Sequence, residues 1–156
     1  MIHPDRIKNQ LEIGSLRETG FSTDDVVNFW EKAVNSSRDA ALGDISADGA
    51  IQSAYTATFN GCLAVLAYQG LRPGKSRGHH EAAFFGVHGF AIPGLEDLVA
   101  DSTDIRSLRS ASLYDPDMAS EADRRRAIEW MRNVLPKLRA ALVGWDQTLE
   151  DRLVRP

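Results

Sequence analysis

Ile51-Gln52-Ser53-Ala54-Tyr55-Thr56-Ala57-Thr58-Phe59-Asn60-Gly61-Cys62-Leu63-Ala64-Val65-Leu66-Ala67-Tyr68-Gln69-Gly70 decides how this chain folds. Ile51, Tyr55, Phe59 (with Cys62), Leu63 and Leu66 recur at helical spacing and make one apolar stripe. Ala50, Ala54, Ala57, Gly61, Ala64 and Ala67 keep the adjoining surfaces thin, and small side chains let a second helix approach closely. A helix lined this way is expected at the centre of the molecule. Ser46-Ala47-Asp48 marks its start and Gly70 its end.

Upstream, Ser22 or Thr23 caps a helix whose first turn carries Asp24 and Asp25, acids that suit the positive end of the helix dipole. Val26, Trp30, Ala33, Val34, Ser37, Ala40 and Ala41 follow at helical spacing, and Gly43 is expected as the C-terminal cap. A shorter helix precedes it, from Pro4 to about Leu16, with Gly14 and Gly20 bracketing a break. Downstream, Leu71-Arg72-Pro73-Gly74-Lys75-Ser76-Arg77-Gly78 reads as a loop. His79 to about Gly89 reads as a helix with Ala82, Phe85 and Gly86 inward. After the turn Ile92-Pro93-Gly94, a helix spans roughly Leu95–Leu113 with apolar points at Leu98, Ile105, Leu108 and Ala111. The last helix opens with Ser120-x-x-Asp123, a capping pattern, and carries the stripe Ile128, Met131, Leu135, Leu138 and Leu142. Pro136 is expected to kink it. No strand-like alternation is visible. The expected fold is all-α, an up-and-down bundle of four to five main helices.

The chain has 156 residues, 43% hydrophobic and 26% charged, the composition of one globular domain over residues 1–156. Its core is expected over about 22–143, between a short N-terminal helix and a C-terminal extension. A net charge of −4 argues against coating nucleic acid by global charge but allows a local basic patch. The single cysteine, Cys62, excludes an internal disulfide framework and a cysteine zinc cluster, and is expected in the core. Gly49–Leu71 is the longest run without a charge, but Gln52, Ser53, Thr56, Thr58, Asn60 and Gln69 interrupt it. Met1-Ile2-His3-Pro4-Asp5-Arg6 lacks an apolar leader. The expectation is a cytoplasmic protein without a membrane partner.

Three pieces of this sequence, in order, resemble the HEPN family (higher eukaryotes and prokaryotes nucleotide-binding). The central stretch Ala54-Tyr55-Thr56-Ala57-Thr58-Phe59 looks like the family's Ala-Tyr-x-Ala-x-Phe helix. Lys75-Ser76-Arg77-Gly78-His79-His80 follows, as a polar loop with Arg-Gly and His does in the family. Leu108-Arg109-Ser110-Ala111-Ser112-Leu113-Tyr114-Asp115-Pro116 is similar to its Arg-x-x-Ala-Asp-Tyr segment, with a Ser120-Glu121 helix start beyond. The likeness covers roughly Val26 to Leu142. It implies a helical bundle, homodimers, and roles in RNA cleavage or nucleotide handling. It also implies toxin-antitoxin pairing with a nucleotidyltransferase-type partner in many members. Catalytic members place a His after an Arg and four to six further residues, and cut RNA without metal through the ribose 2′-hydroxyl. Here none of His3, His79, His80 and His88 follows Arg106 or Arg109, and Tyr114 stands where the His would be.

The resemblance therefore implies a nucleotide- or RNA-related binding or regulatory protein that is catalytically weak or inactive. A metal-independent endoribonuclease, a toxin or antiphage effector, is the alternative, and a scaffold without ligand is a third. Arg109 and Tyr114 are the candidate catalytic pair. Arginine presents a permanently charged fork to phosphate oxygens, while a tyrosine of ordinary pKa near ~10 is a poor base at neutral pH. In a purely structural use, the Tyr114 hydroxyl would bond to backbone and Arg109 would pair with Asp104 or Asp115. Arg72, Lys75, Arg77, His79 and His80 are the candidate phosphate- or RNA-binding group, a basic cluster feeding a helix start. A solvated surface loop is the plainer use of it. His80 and His88 lie eight apart with Phe84 between, so no tight metal pair is expected, and no cofactor is implied. Arg124-Arg125-Arg126 reads as a solvated face.

Overall fold

Two flanking helices close on the thin surface of the alanine-lined helix, α3 (Ala47–Tyr68). Those two are α2 (Thr23–Ala40) and α6 (Glu121–Trp145). At Gly61 the approach is so close that an added Cβ would lie 2.9 Å from Leu135 Cδ2 and 3.0 Å from Leu138 Cδ1. Trp30, Ala33, Ala57, Ala64, Leu135, Leu138 and Leu142 are all buried in the shared core. The other side of α3 carries α4 (His79–His88) and α5 (Leu98–Tyr114). Before α2 lie α1 (Asp5–Glu12) and β1 (Leu16–Glu18), and β2 (Leu71–Pro73) follows α3. The computed structural model describes residues 4–75 and 78–156. Among these residues the fold is helical apart from the β1–β2 ribbon, as expected of an all-α bundle. None of the described helices is long and apolar enough to cross a membrane.

The helix starts follow local chemistry. The Ser22 hydroxyl accepts from the Asp25 N–H at 3.2 Å, and the Asp25 carboxylate accepts from the Ser22 N–H at 2.8 Å. The Ser22 backbone N–H and then its hydroxyl hold the Asp25 carboxyl below the usual carboxylate range. Ser120 and Asp123 repeat the arrangement at the head of α6. Each box satisfies amide protons that a helix start leaves without partners.

Several expectations change. The first helix stops at Glu12, and Leu16 belongs to β1. The stretch Leu71–Pro73, read as loop, is β2, antiparallel to β1 with Arg17 opposite Arg72. Strands of three residues are too short to show an alternating pattern. Gly14 (φ +72°) and Gly70 (φ +70°) turn the chain in the left-handed region and let the two segments meet. Gly43 does not cap α2. The helix ends at Ala40, and Arg124 instead donates to the carbonyls of Leu42 and Ile45, both at 3.0 Å. That takes Arg124 out of the solvated run, and Arg126 pairs with Asp104. On α4 the inward aromatic is Phe84, while Phe85 is half exposed. Pro136 lies inside α6, which spans Glu121 to Trp145, as the sequence placed it.

Candidate functional site

Tyr55 and Phe59 lie one turn apart on α3, on the side that meets α4 and α5. Gly78 enters α4 at φ +89°, a conformation that suits glycine, and sets His79 and His80 at the helix start. The His80 ring stacks on Phe59 with centroids 4.1 Å apart and planes 11° apart. It also lies 5.8 Å from the Tyr55 ring, nearly parallel. His79 meets His80 edge-on at 4.4 Å and remains exposed. Phe84 and Trp130 close the inner side of Tyr55 at 5.7 Å and 6.4 Å.

α5 brings the cations. The guanidinium carbon of Arg109 lies 5.2 Å from the Tyr55 ring centroid. Arg106, one turn earlier, is ion-paired with Glu81 of α4. Gln52 of α3 fixes α5 by donating to the Arg109 carbonyl at 3.1 Å and to the Ser112 hydroxyl at 2.7 Å. Three polar atoms of the cluster have no protein partner. The Arg109 Nε, the Tyr55 hydroxyl and the Trp130 Nε1 are buried without a hydrogen bond among the described residues. Buried polar atoms are nearly always paired, so three orphaned donors in one cluster call for an acceptor from outside the protein, a water or a ligand oxygen.

The surroundings tune the rings. Burial, then the neighbouring His79, Arg109 and Arg106 charges, push the His80 pKa down to about 4. Its imidazole is therefore neutral at pH 7. Burial pushes the Tyr55 phenol up to about 12, although Arg106 and Arg109 act in the opposite sense. The Cys62 thiol is wholly buried and burial alone pushes it up, as befits an inert core cysteine.

Not every residue singled out in the sequence joins this cluster. Arg109, His79 and His80 do. Tyr114, the last residue of α5, is 83% exposed and makes no contact with Arg109. Five residues along a helix carry a side chain about 140° around the axis, which turns Tyr114 away from the face that holds Arg109. The structural use of that pair also fails in detail, since Tyr114 is not buried and Asp104 pairs with Arg126. Arg72 is exposed in β2 and Lys75 is exposed just beyond it. Arg77 lies outside the described residues. Sequence reasoning missed Arg106, Glu81 and the role of Tyr55 and Phe59 as the floor. The two aromatics one turn apart on the central helix were the available signal. No group of three or more His, Cys, Asp or Glu among the described residues is placed to hold a metal ion.

Comparison of the chain with protein-family models, with curated proteins and with solved structures gives no match.

Proposed function

We propose that the face formed by α3, α4 and α5 binds the phosphate of a nucleotide or of RNA, in a binding or regulatory role with little or no cleavage of the ligand. The observation that carries this reading is Arg109, whose buried Nε lacks a partner while its guanidinium lies over Tyr55. A phosphate oxygen is the acceptor that a guanidinium fork suits best. His79 and the His80–Phe59 stack add aromatic surface on which a base can lie. The resemblance to HEPN domains supports the same ligand class. A homodimer and a nucleotidyltransferase-type antitoxin partner belong to the same reading.

Weak catalysis follows from the protonation states. A neutral His80 has no acidic proton to give, and at a pKa of about 4 it is a feeble base. Tyr55 stays protonated at neutral pH. One observation favours the endoribonuclease reading: an imidazole and a guanidinium both flank Tyr55, although His80 precedes Arg109 in the chain. A neutral imidazole can accept the proton of a ribose 2′-hydroxyl.

Calorimetry with AMP, ATP and a short single-stranded RNA tests the proposal, alongside RNA cleavage in excess chelator. Saturable binding that weakens about tenfold or more in Arg109→Ala, with no cleavage, is the expected result. Cleavage lost in both Arg109→Ala and His80→Ala would establish the endonuclease instead. Absence of binding by all three ligands would leave the scaffold.

A further inference from the structure

α2 and α6 both pack on α3, and between them on the surface lies a cleft of about 270 Å³. Ala41, Met131, Leu135, Pro136 and Pro156 give it an apolar lining. Arg38, from the last turn of α2, and Arg132, one turn before Pro136 on α6, also line it. Both guanidiniums are exposed, and neither makes a hydrogen bond, ion pair or ring contact among the described residues. Glu31 lines a neighbouring groove with Arg38 but forms no ion pair with it. Of the other surface arginines, Arg106, Arg126 and Arg152 are each paired with an acid and Arg124 and Arg139 are spent on carbonyls, whereas Arg72, Arg125 and Arg155 are, among the described residues, uncommitted like Arg38 and Arg132.

The cleft thus joins an apolar trough to two uncommitted cations. We infer that this cleft binds a small amphipathic carboxylate, with its apolar tail on Met131, Leu135 and Pro136 and its carboxylate between Arg38 and Arg132. The volume, about 270 Å³, falls just below the usual range for ligand sites and fits a short-chain molecule rather than a partner helix. A guanidinium pair matches a carboxylate in charge and planar geometry. Bare phosphate matches the charge but leaves the apolar lining wet. None of these residues belongs to the α3–α4–α5 face, so the inference stands apart from the function proposed above.

Octanoate is the probe, with 1-octanol, octylamine and inorganic phosphate as controls, read by amide chemical-shift titration of the full chain. The expected result is saturable perturbation centred on Ser37, Ala41, Met131 and Arg132, with octanoate binding about tenfold or more tightly than each control. Arg38→Gln combined with Arg132→Gln removes that advantage. Ala41→Trp, which fills the cleft from an exposed position, removes binding altogether. Unchanged thermal melting of the three-residue set shows that the fold is retained. Equal binding of octanol or phosphate, octanoate binding indifferent to the arginine pair, or no saturable shift at millimolar octanoate overturns the inference.

Discussion

The two sides of α3 solve different problems with one helix. Toward α2 and α6 it offers Ala57, Gly61 and Ala64, and the surface is closed by Leu135, Leu138 and Trp30, whose indole N–H donates to the Val154 carbonyl. Toward α4 and α5 it offers Tyr55, Phe59 and Gln52, and there the packing includes a neutral histidine, two guanidiniums and, with the Trp130 indole on the inner side of Tyr55, three buried polar atoms without partners. A face built only for stability satisfies its buried groups. The contrast separates a side that holds the fold from a side with unused bonding capacity.

The largest expected effect lies on the closed side. Leu138→Ala empties space directly against Gly61 and is expected to lower unfolding free energy by about 3 kcal/mol, measured by urea titration. A loss under about 1 kcal/mol would mean that this side is loosely packed and the contrast is false. On the open side, Arg109→Ala removes a cation–π contact worth on the order of 1 kcal/mol, so ligand binding should suffer far more than stability. A melting-temperature drop as large as that of Leu138→Ala would make Arg109 a structural residue.

On the open side, acid acts through His80. His80 is held neutral in the fold, with a pKa of about 4, and regains an ordinary value near 6.5 when unfolded. Protonation therefore favours the unfolded chain. This contribution of His80 is full above about pH 6.5 and falls as pH drops toward about 4, by on the order of 1 kcal/mol because the residue is only partly buried. The facing groups are Arg106 and Arg109 of α5, Tyr55 of α3, and His79 and Glu81 of α4. His80→Phe keeps the stack on Phe59 and is expected to flatten that part of the pH profile, read from chemical melts between pH 4 and 7. An unchanged profile would place the acid sensitivity elsewhere.

The smallest effect is the most diagnostic. Tyr55→Phe deletes a buried hydroxyl that has no protein partner. Unfolding free energy should stay the same or rise by up to about 1 kcal/mol, because no hydrogen bond is lost and a desolvated group is removed. A loss of more than about 1 kcal/mol would show that the hydroxyl is satisfied, and the open side would then resemble the closed one.

Local chemistry made much of this legible beforehand. Ser22, Ser46 and Ser120 announced three helix starts because capping is settled within four residues. The stripes of α2 and α6 pointed to their buried faces for the same reason, since helical period depends only on near neighbours. Gly43 and Phe85 misled. Arg124, from far along the chain, closes the turn after α2, and α4 rotates so that Phe84 meets Tyr55 and Trp130. Tyr114 misled through spacing alone, which counts residues but ignores the angle around α5.

Helix periods, caps and the alanine-rich centre were set by residues a few positions apart, and so the sequence by itself determined a helical bundle around α3. The meeting of Arg109 with His80 across 29 residues, the pairing of Arg106 with Glu81, and the opening between Arg38 and Arg132 were decided only by tertiary structure. They depend on how whole helices rotate and dock against α3, and that is fixed by the sum of many weak contacts rather than by any local pattern.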